Sequence, residues 1–121
     1  MSADDVLRAQ VADASRRLAD AGLLVGTAGN VSARAGDRVA VTATGVVLGR
    51  CDPSDVTVVS LSGEVLEGEL APTSEIDLHL GLYAASDGGT AAVVHTHAPF
   101  STAVACVLDE LPVIHLSLIH I

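Results

Sequence analysis

Residues 72–108 read PTSEIDLHLGLYAASDGGTAAVVHTHAPFSTAVACVL, and the order of patterns in this stretch decides the fold. Pro72-Thr73-Ser74-Glu75 has the composition of a helix start, with Ile76, Leu78, Leu80 and Leu82 among the helical residues up to about Ala85. Ser86-Asp87-Gly88-Gly89 ends that helix. Residues 91–95 then form a short apolar strand, 99–108 a second helix, and Leu111-Pro112-Val113-Ile114 the start of another strand. Strands alternating with helices around an apolar sheet specify an α/β layered domain.

The remainder of the chain fits the same reading. Ser2 can cap a helix over about 4–21, with Asp4 and Asp5 in the first turn, where the helix dipole favours anions. Leu7, Val11, Ala14 and Leu18 lie on one face of it, and Gly22 is placed to end it. Gly26-Thr27-Ala28-Gly29-Asn30 breaks the period with small, turn-forming residues. Residues 31–33 and 38–43 read as strands joined at Gly36-Asp37, and a loop holding Pro53 leads to a strand over 56–60. Ser62-Gly63 turns that strand into Glu64-Val65-Leu66. The chain has no internal repeat, low-complexity tract or interdomain linker, and its 121 residues suit one domain.

Composition narrows the classes of function. Half of the residues are hydrophobic but only 2% are aromatic, so the core must be built from Val, Leu, Ile and Ala. A formal charge of −9 with 6 Lys and Arg argues against a nucleic-acid surface, which needs a basic patch to neutralise phosphate. A small anionic ligand is still compatible, because backbone N–H groups can hold it without basic side chains. No apolar run approaches the ~18–20 residues that span a bilayer, and the acidic start MSADDVLRAQ lacks the features of a signal peptide. Cys51 and Cys106 form no metal or redox spacing and read as ordinary thiols, consistent with a reduced, cytoplasmic protein.

Three features carry candidate chemistry. His95-Thr96-His97 closes the apolar strand; residues i and i+2 of a strand share a face, so both imidazoles can reach one ion such as zinc. The same pair also reads as two packed or surface histidines, and a metal site needs a third ligand. Gly29-Asn30, Thr44-Gly45 and Thr73-Ser74 offer hydroxyl, amide or backbone donors for an anion, or serve only as turns and caps. Glu75 can be a general base beside a metal or simply an acidic residue in a first helical turn.

Taken in order, Gly26-Thr27-Ala28-Gly29-Asn30-Val31-Ser32, Thr42-Ala43-Thr44-Gly45, Pro72-Thr73-Ser74-Glu75 with His79, and Val93-Val94-His95-Thr96-His97 resemble the class II aldolase/adducin family. The likeness, to fuculose-phosphate and rhamnulose-phosphate type aldolases, runs from about residue 5 to His115. It implies a three-layer α/β/α domain, truncated at its C-terminus, in a homotetramer. It also implies Zn2+ or another divalent ion on His95 and His97, and Glu75 as acid/base residue. Asn30, Thr44, Gly45, Thr73 and Ser74 would hold the phosphate of a sugar phosphate. The implied reaction is cleavage of a ketose 1-phosphate to dihydroxyacetone phosphate and a short aldehyde. Glutamate at position 75 favours an aldolase, since epimerase relatives commonly carry Asp there. An epimerase or dehydratase of the same family is the alternative, and a non-catalytic adducin-like module a further one. His79 reads as a structural helix histidine.

The resemblance stops near the end of the chain. The family's third zinc histidine lies beyond the second, in a His-His-Gly context, and has no counterpart here. His115 matches a family position that is not a ligand, and nothing places His120 near the site. Residues 1–115 therefore read as the N-terminal part of such a domain, and 116–121 as a non-native tail. A fragment of that kind is expected to expose apolar sheet surface, to fold poorly and to be inactive as it stands.

Overall fold

The computed structural model describes residues 1–113. The first helix, α1 (Ala3–Asp20), starts at a capping box in which the Asp5 N–H donates to Ser2 Oγ at 3.1 Å and the Ser2 N–H to Asp5 Oδ2 at 2.9 Å. It stops at Gly22, whose φ of +77° allows the reversal. There Gly22 N–H bonds Ala19 O and Leu23 N–H bonds Leu18 O, the paired bonds of a Schellman end. The apolar face expected from periodicity is the one that docks: Leu7 and Val11 are buried, with Ala14 and Leu18 packed beside them.

Five strands form one sheet: β1 (Asn30–Ala35), β2 (Arg38–Thr42), β3 (Val56–Ser60), β4 (Val65–Glu67) and β5 (Ala92–His95). Their order is β4-β3-β2-β1-β5, and every neighbouring pair is antiparallel. Period-2 alternation divides the side chains between two faces. Val31, Ala40, Val56 and Val58 face α1. Val39, Val41, Val59 and Val93 meet Ile76, Leu80 and Tyr83 of the second helix, α2 (Ile76–Ala85). The sheet thus carries a helix against each face, and branched aliphatic residues fill both interfaces. The third helix, α3 (Pro99–Val107), buries none of its residues.

The connection from β2 to β3 and the approach to α2 combine buried side chains with backbone bonds. Two short 3-10 turns, Leu48–Arg50 and Pro53–Asp55, replace the expected plain loop, with Leu48 and Cys51 buried under α1. Burial pushes the Cys51 thiol up to about 11, so it is an inert part of the core. Residues 71–73 lie alongside the end of β2: Ala43 and Pro72 form a bridge, Thr44 N–H bonds Ala71 O, and Thr73 N–H bonds Thr42 O.

Two sequence expectations are corrected. The second helix starts at Ile76 rather than at Pro72-Thr73-Ser74, because Thr73 N–H is drawn to the sheet and residues 74–75 form a turn. Residues 111–113 form no strand; Ile114, His115, His120 and the tail 116–121 lie outside the described residues.

α1 is also pinned to β2 by charge. Arg38 Nε meets Asp4 Oδ1 at 2.8 Å, a second bond joins its terminal nitrogen to Oδ2, and Asp4 is nearly buried. The guanidinium holds the Asp4 carboxyl below the usual carboxylate range. Asp4→Asn is expected to lower unfolding stability by about 1 kcal/mol at neutral pH, measured by urea denaturation. A lowered folded pKa contributes stability above the unfolded value and loses it as pH falls through the folded value. Wild type and D4N should therefore converge in stability on acidification; a gap unchanged by pH would contradict the assignment.

Candidate active site

One end of the sheet and the start of α2 gather most of the polar residues singled out from sequence. Asn30 opens β1 and His95 closes β5, and the two stand directly opposite each other in the ladder. Glu75 caps α2 from the other side of this end. Three loops complete a small polar cavity of about 180 Å³. It is lined by Thr27 to Asn30, by Ala43 to Gly45, and by Thr73 to Glu75, with His97 at its edge. All five residues expected to grip a phosphate line this one cavity, together with Glu75 and His97. His95 stands beside it, its Nδ1 at 2.9 Å from Glu75 Oε2. A larger cleft of about 550 Å³ along α3 is mainly apolar and holds none of these groups.

The loop before β1 can reach this position only with glycine at 29. Gly29 has φ of +87°, and a Cβ there would stand 2.3 Å from Leu24 Cδ2 and 2.8 Å from the carbonyl oxygen of His95. The missing side chain is what lets the loop pass over the end of β5 and set Asn30 at the cavity wall.

The donors divide into committed and free groups. The backbone N–H groups of Thr44 and Thr73 are used by the 71–73 bridge, and Thr73 Oγ1 accepts from the Glu75 N–H at 3.3 Å. Among the described residues, the hydroxyls of Thr44 and Ser74 and the N–H groups of Gly45 and Ser74 have no partner within the chain. These are the groups able to bind an oxyanion.

Asn30 is differently occupied. It is buried, its Nδ2 donates to Glu75 Oε2 at 2.5 Å, and its Oδ1 lies 2.5 Å from His79 Nε2. His79 Nδ1 is 2.7 Å from Ser32 Oγ, which is 2.7 Å from the Tyr83 hydroxyl. The Asn30 amide, aided by His95, holds the Glu75 carboxyl below its usual range, so it is ionised at neutral pH. Burial lowers the His79 imidazole and raises the Tyr83 phenol, leaving both neutral. Ser32 and Tyr83 were not assigned roles from sequence. The available signal was spacing: Asn30 and Ser32 are i and i+2 on a strand, and Glu75, His79 and Tyr83 are successive i, i+4 positions.

His95 and His97 have ring centroids 5.0 Å apart at 43°. The paired strand ends at His95, and His97 lies two residues beyond it. Among the described residues no group of three His, Cys, Asp or Glu side chains is arranged to hold a metal ion. No helix among them is long and apolar enough to cross a membrane.

Comparison with known proteins gives a consistent result. Residues 9–120 match the family model described as class II aldolase and adducin N-terminal domain. The chain is 40% identical over 109 residues to the 5-methylthioribulose-1-phosphate/5-deoxyribulose-1-phosphate aldolase of Rhodospirillum rubrum, covering 90% of this chain and 48% of that protein. It is 40% identical over 94 residues to an L-fuculose phosphate aldolase of Methanococcus maripaludis, covering 78% and 51%. A solved L-fuculose 1-phosphate aldolase superposes with a TM-score of 0.82 at 31% identity, over 95% of this chain and 54% of the other. The chain spans about half the length of the curated relatives it matches.

Gly29→Ala tests the packing that forms the cavity. The positive φ and the contact with backbone oxygen should together cost at least about 2 kcal/mol in urea denaturation. A variant as stable as wild type would show that the loop does not approach β5 this closely.

Proposed function

The chain belongs to the class II aldolase and adducin N-terminal domain family, and we propose that it contributes to a metal-dependent lyase cleaving a ketose 1-phosphate to dihydroxyacetone phosphate and a short aldehyde. The observation that carries this reading is the placement of Glu75 between an oxyanion-sized set of donors and the His95–His97 pair.

The donor chemistry fits a divalent ion. Because an ionised carboxylate only accepts, His95 Nδ1 donates to Glu75, and in a neutral ring this tautomer leaves Nε2 as the acceptor through which imidazole binds metals. His95 and His97 would hold Zn2+ or a similar ion, with further ligands coming from outside the described residues. Such an ion, when bound, supplies Lewis-acid polarisation of substrate oxygen.

Phosphate binding and proton transfer would draw on side chains and backbone groups of this chain. The Thr44 and Ser74 hydroxyls and the Gly45 and Ser74 N–H groups would receive the substrate phosphate, with the remaining hydroxyl proton of Thr73 and the Asn30 side chain at the wall of the same cavity. This fixes the short sugar relative to the carboxylate. In the cleavage the hydroxyl proton leaves, the carbon–carbon bond beside it breaks, and an aldehyde departs. The carbon left on the phosphorylated fragment then takes a proton. Glu75, ionised and lining the cavity, would carry the protons in these steps. The whole protein is taken to be a cytoplasmic homotetramer of three-layer α/β/α domains. Residues 1–115 would form the N-terminal part of that domain.

The test uses the full-length protein loaded with zinc and a panel of ketose 1-phosphates. Glu75→Gln should lower kcat by about 10²–10⁴-fold with an unchanged circular dichroism spectrum. Chelation should abolish cleavage, and added Zn2+ should restore it. A wild-type protein that epimerises or dehydrates the same sugars without breaking a carbon–carbon bond would displace this reading.

A further inference from the structure

The hydrogen bonds behind Glu75 form a single chain, and chemistry fixes the direction of each one. Glu75 Oε2 can only accept, so the Asn30 nitrogen faces it and the Asn30 oxygen faces His79. A carbonyl oxygen also only accepts, so His79 Nε2 carries the proton. The neutral ring then presents a bare Nδ1, to which the Ser32 hydroxyl donates; the Ser32 oxygen in turn accepts from the Tyr83 hydroxyl. The donors therefore run in one direction, from Tyr83 through Ser32, His79 and Asn30 to the carboxylate.

Four of these residues are withdrawn from solvent: Ser32 and His79 at 0% exposure, Tyr83 at 1% and Asn30 at 4%. Among the described residues, no buried side-chain nitrogen or oxygen lacks a partner. A histidine serving only to fill space would do so at lower cost as an apolar residue, since a buried ring must have both nitrogens matched. Here each nitrogen has a partner of fixed polarity, and only one of the two leads to the cavity.

We propose that His79 is a positioning residue whose Nε2–H locks the Asn30 carboxamide in the one orientation that directs its N–H at Glu75. The inference rests on the reading of Glu75 as the proton-carrying group. Without the lock, the Asn30 amide is free to turn its oxygen toward the carboxylate, where two acceptors repel. Glu75 then loses the bond that fixes it relative to His95 and the cavity. The neutral state of His79 described above agrees with this arrangement.

The test compares three variants of the full-length, zinc-loaded protein. Glutamine places an amide N–H near the position of Nε2, whereas asparagine, one carbon shorter, reaches only to the position of Nδ1. His79→Gln should keep most of kcat. His79→Asn and His79→Leu should lower kcat about 10–100-fold with little change in KM. Equal losses in Gln and Asn variants, or losses confined to KM, would overturn the proposal. If Leu proves unstable, the Gln–Asn contrast still decides. A second readout does not depend on turnover: ¹⁵N NMR of the histidine-labelled protein should show His79 neutral with its proton on Nε2. A proton on Nδ1 would reverse the chain and refute the inference. Should the wild type cleave no sugar phosphate, the aldolase reading falls while the NMR result still judges the lock.

Discussion

An asparagine carboxamide has a donor at one end and an acceptor at the other, and this asymmetry organises the site. Asn30 sits at the first position of β1 with its side chain buried between the tip of the sheet and the start of α2. Its neighbours on the two sides make opposite demands: a carboxylate needs a donor, and the imidazole of His79 provides one. Several backbone features serve to put this amide where it is. The open φ and absent Cβ of Gly29 bring the loop across β5, and the β1–β5 register sets Asn30 against His95. The valine-lined interface seats α2 so that His79 and Tyr83 point into the sheet.

Much of this was legible in the chain, and the reasons differ by element. α1 announced itself through the Ser2 cap and the spacing of Leu7, Val11, Ala14 and Leu18, because an amphipathic helix on a sheet writes its contact face into one turn-periodic stripe. The glycine-containing turn between β1 and β2 was equally local. The residues expected to meet at the site also did meet, since each belonged to a short motif at the end of an element.

What escaped notice depended on partners distant in sequence. The helix was placed too early because Pro72-Thr73-Ser74 looks like a helix start, while the bonds to Thr42 and Thr44 that hold it to the sheet come from thirty residues away. In the sequence His79 reads as a structural helix histidine, and neither Tyr83 nor Ser32 carries a role of its own. Their joint arrangement exists only when the period-2 face of β1 meets the i, i+4 face of α2, a relation that no single window of sequence contains. The direction of the hydrogen bonds is further removed, since it follows from the carboxylate at the far end of the chain of contacts.

The bridge between Ala43 and Pro72 has one more consequence. Through it the Thr44-Gly45 and Thr73-Ser74 lips of the cavity belong to one backbone ladder, continuous with β2. They behave as the fixed jaw of a vice, whose spacing does not change without breaking sheet bonds. The opposite side of the cavity is the 27–29 segment, which passes over the end of β5 without joining that ladder.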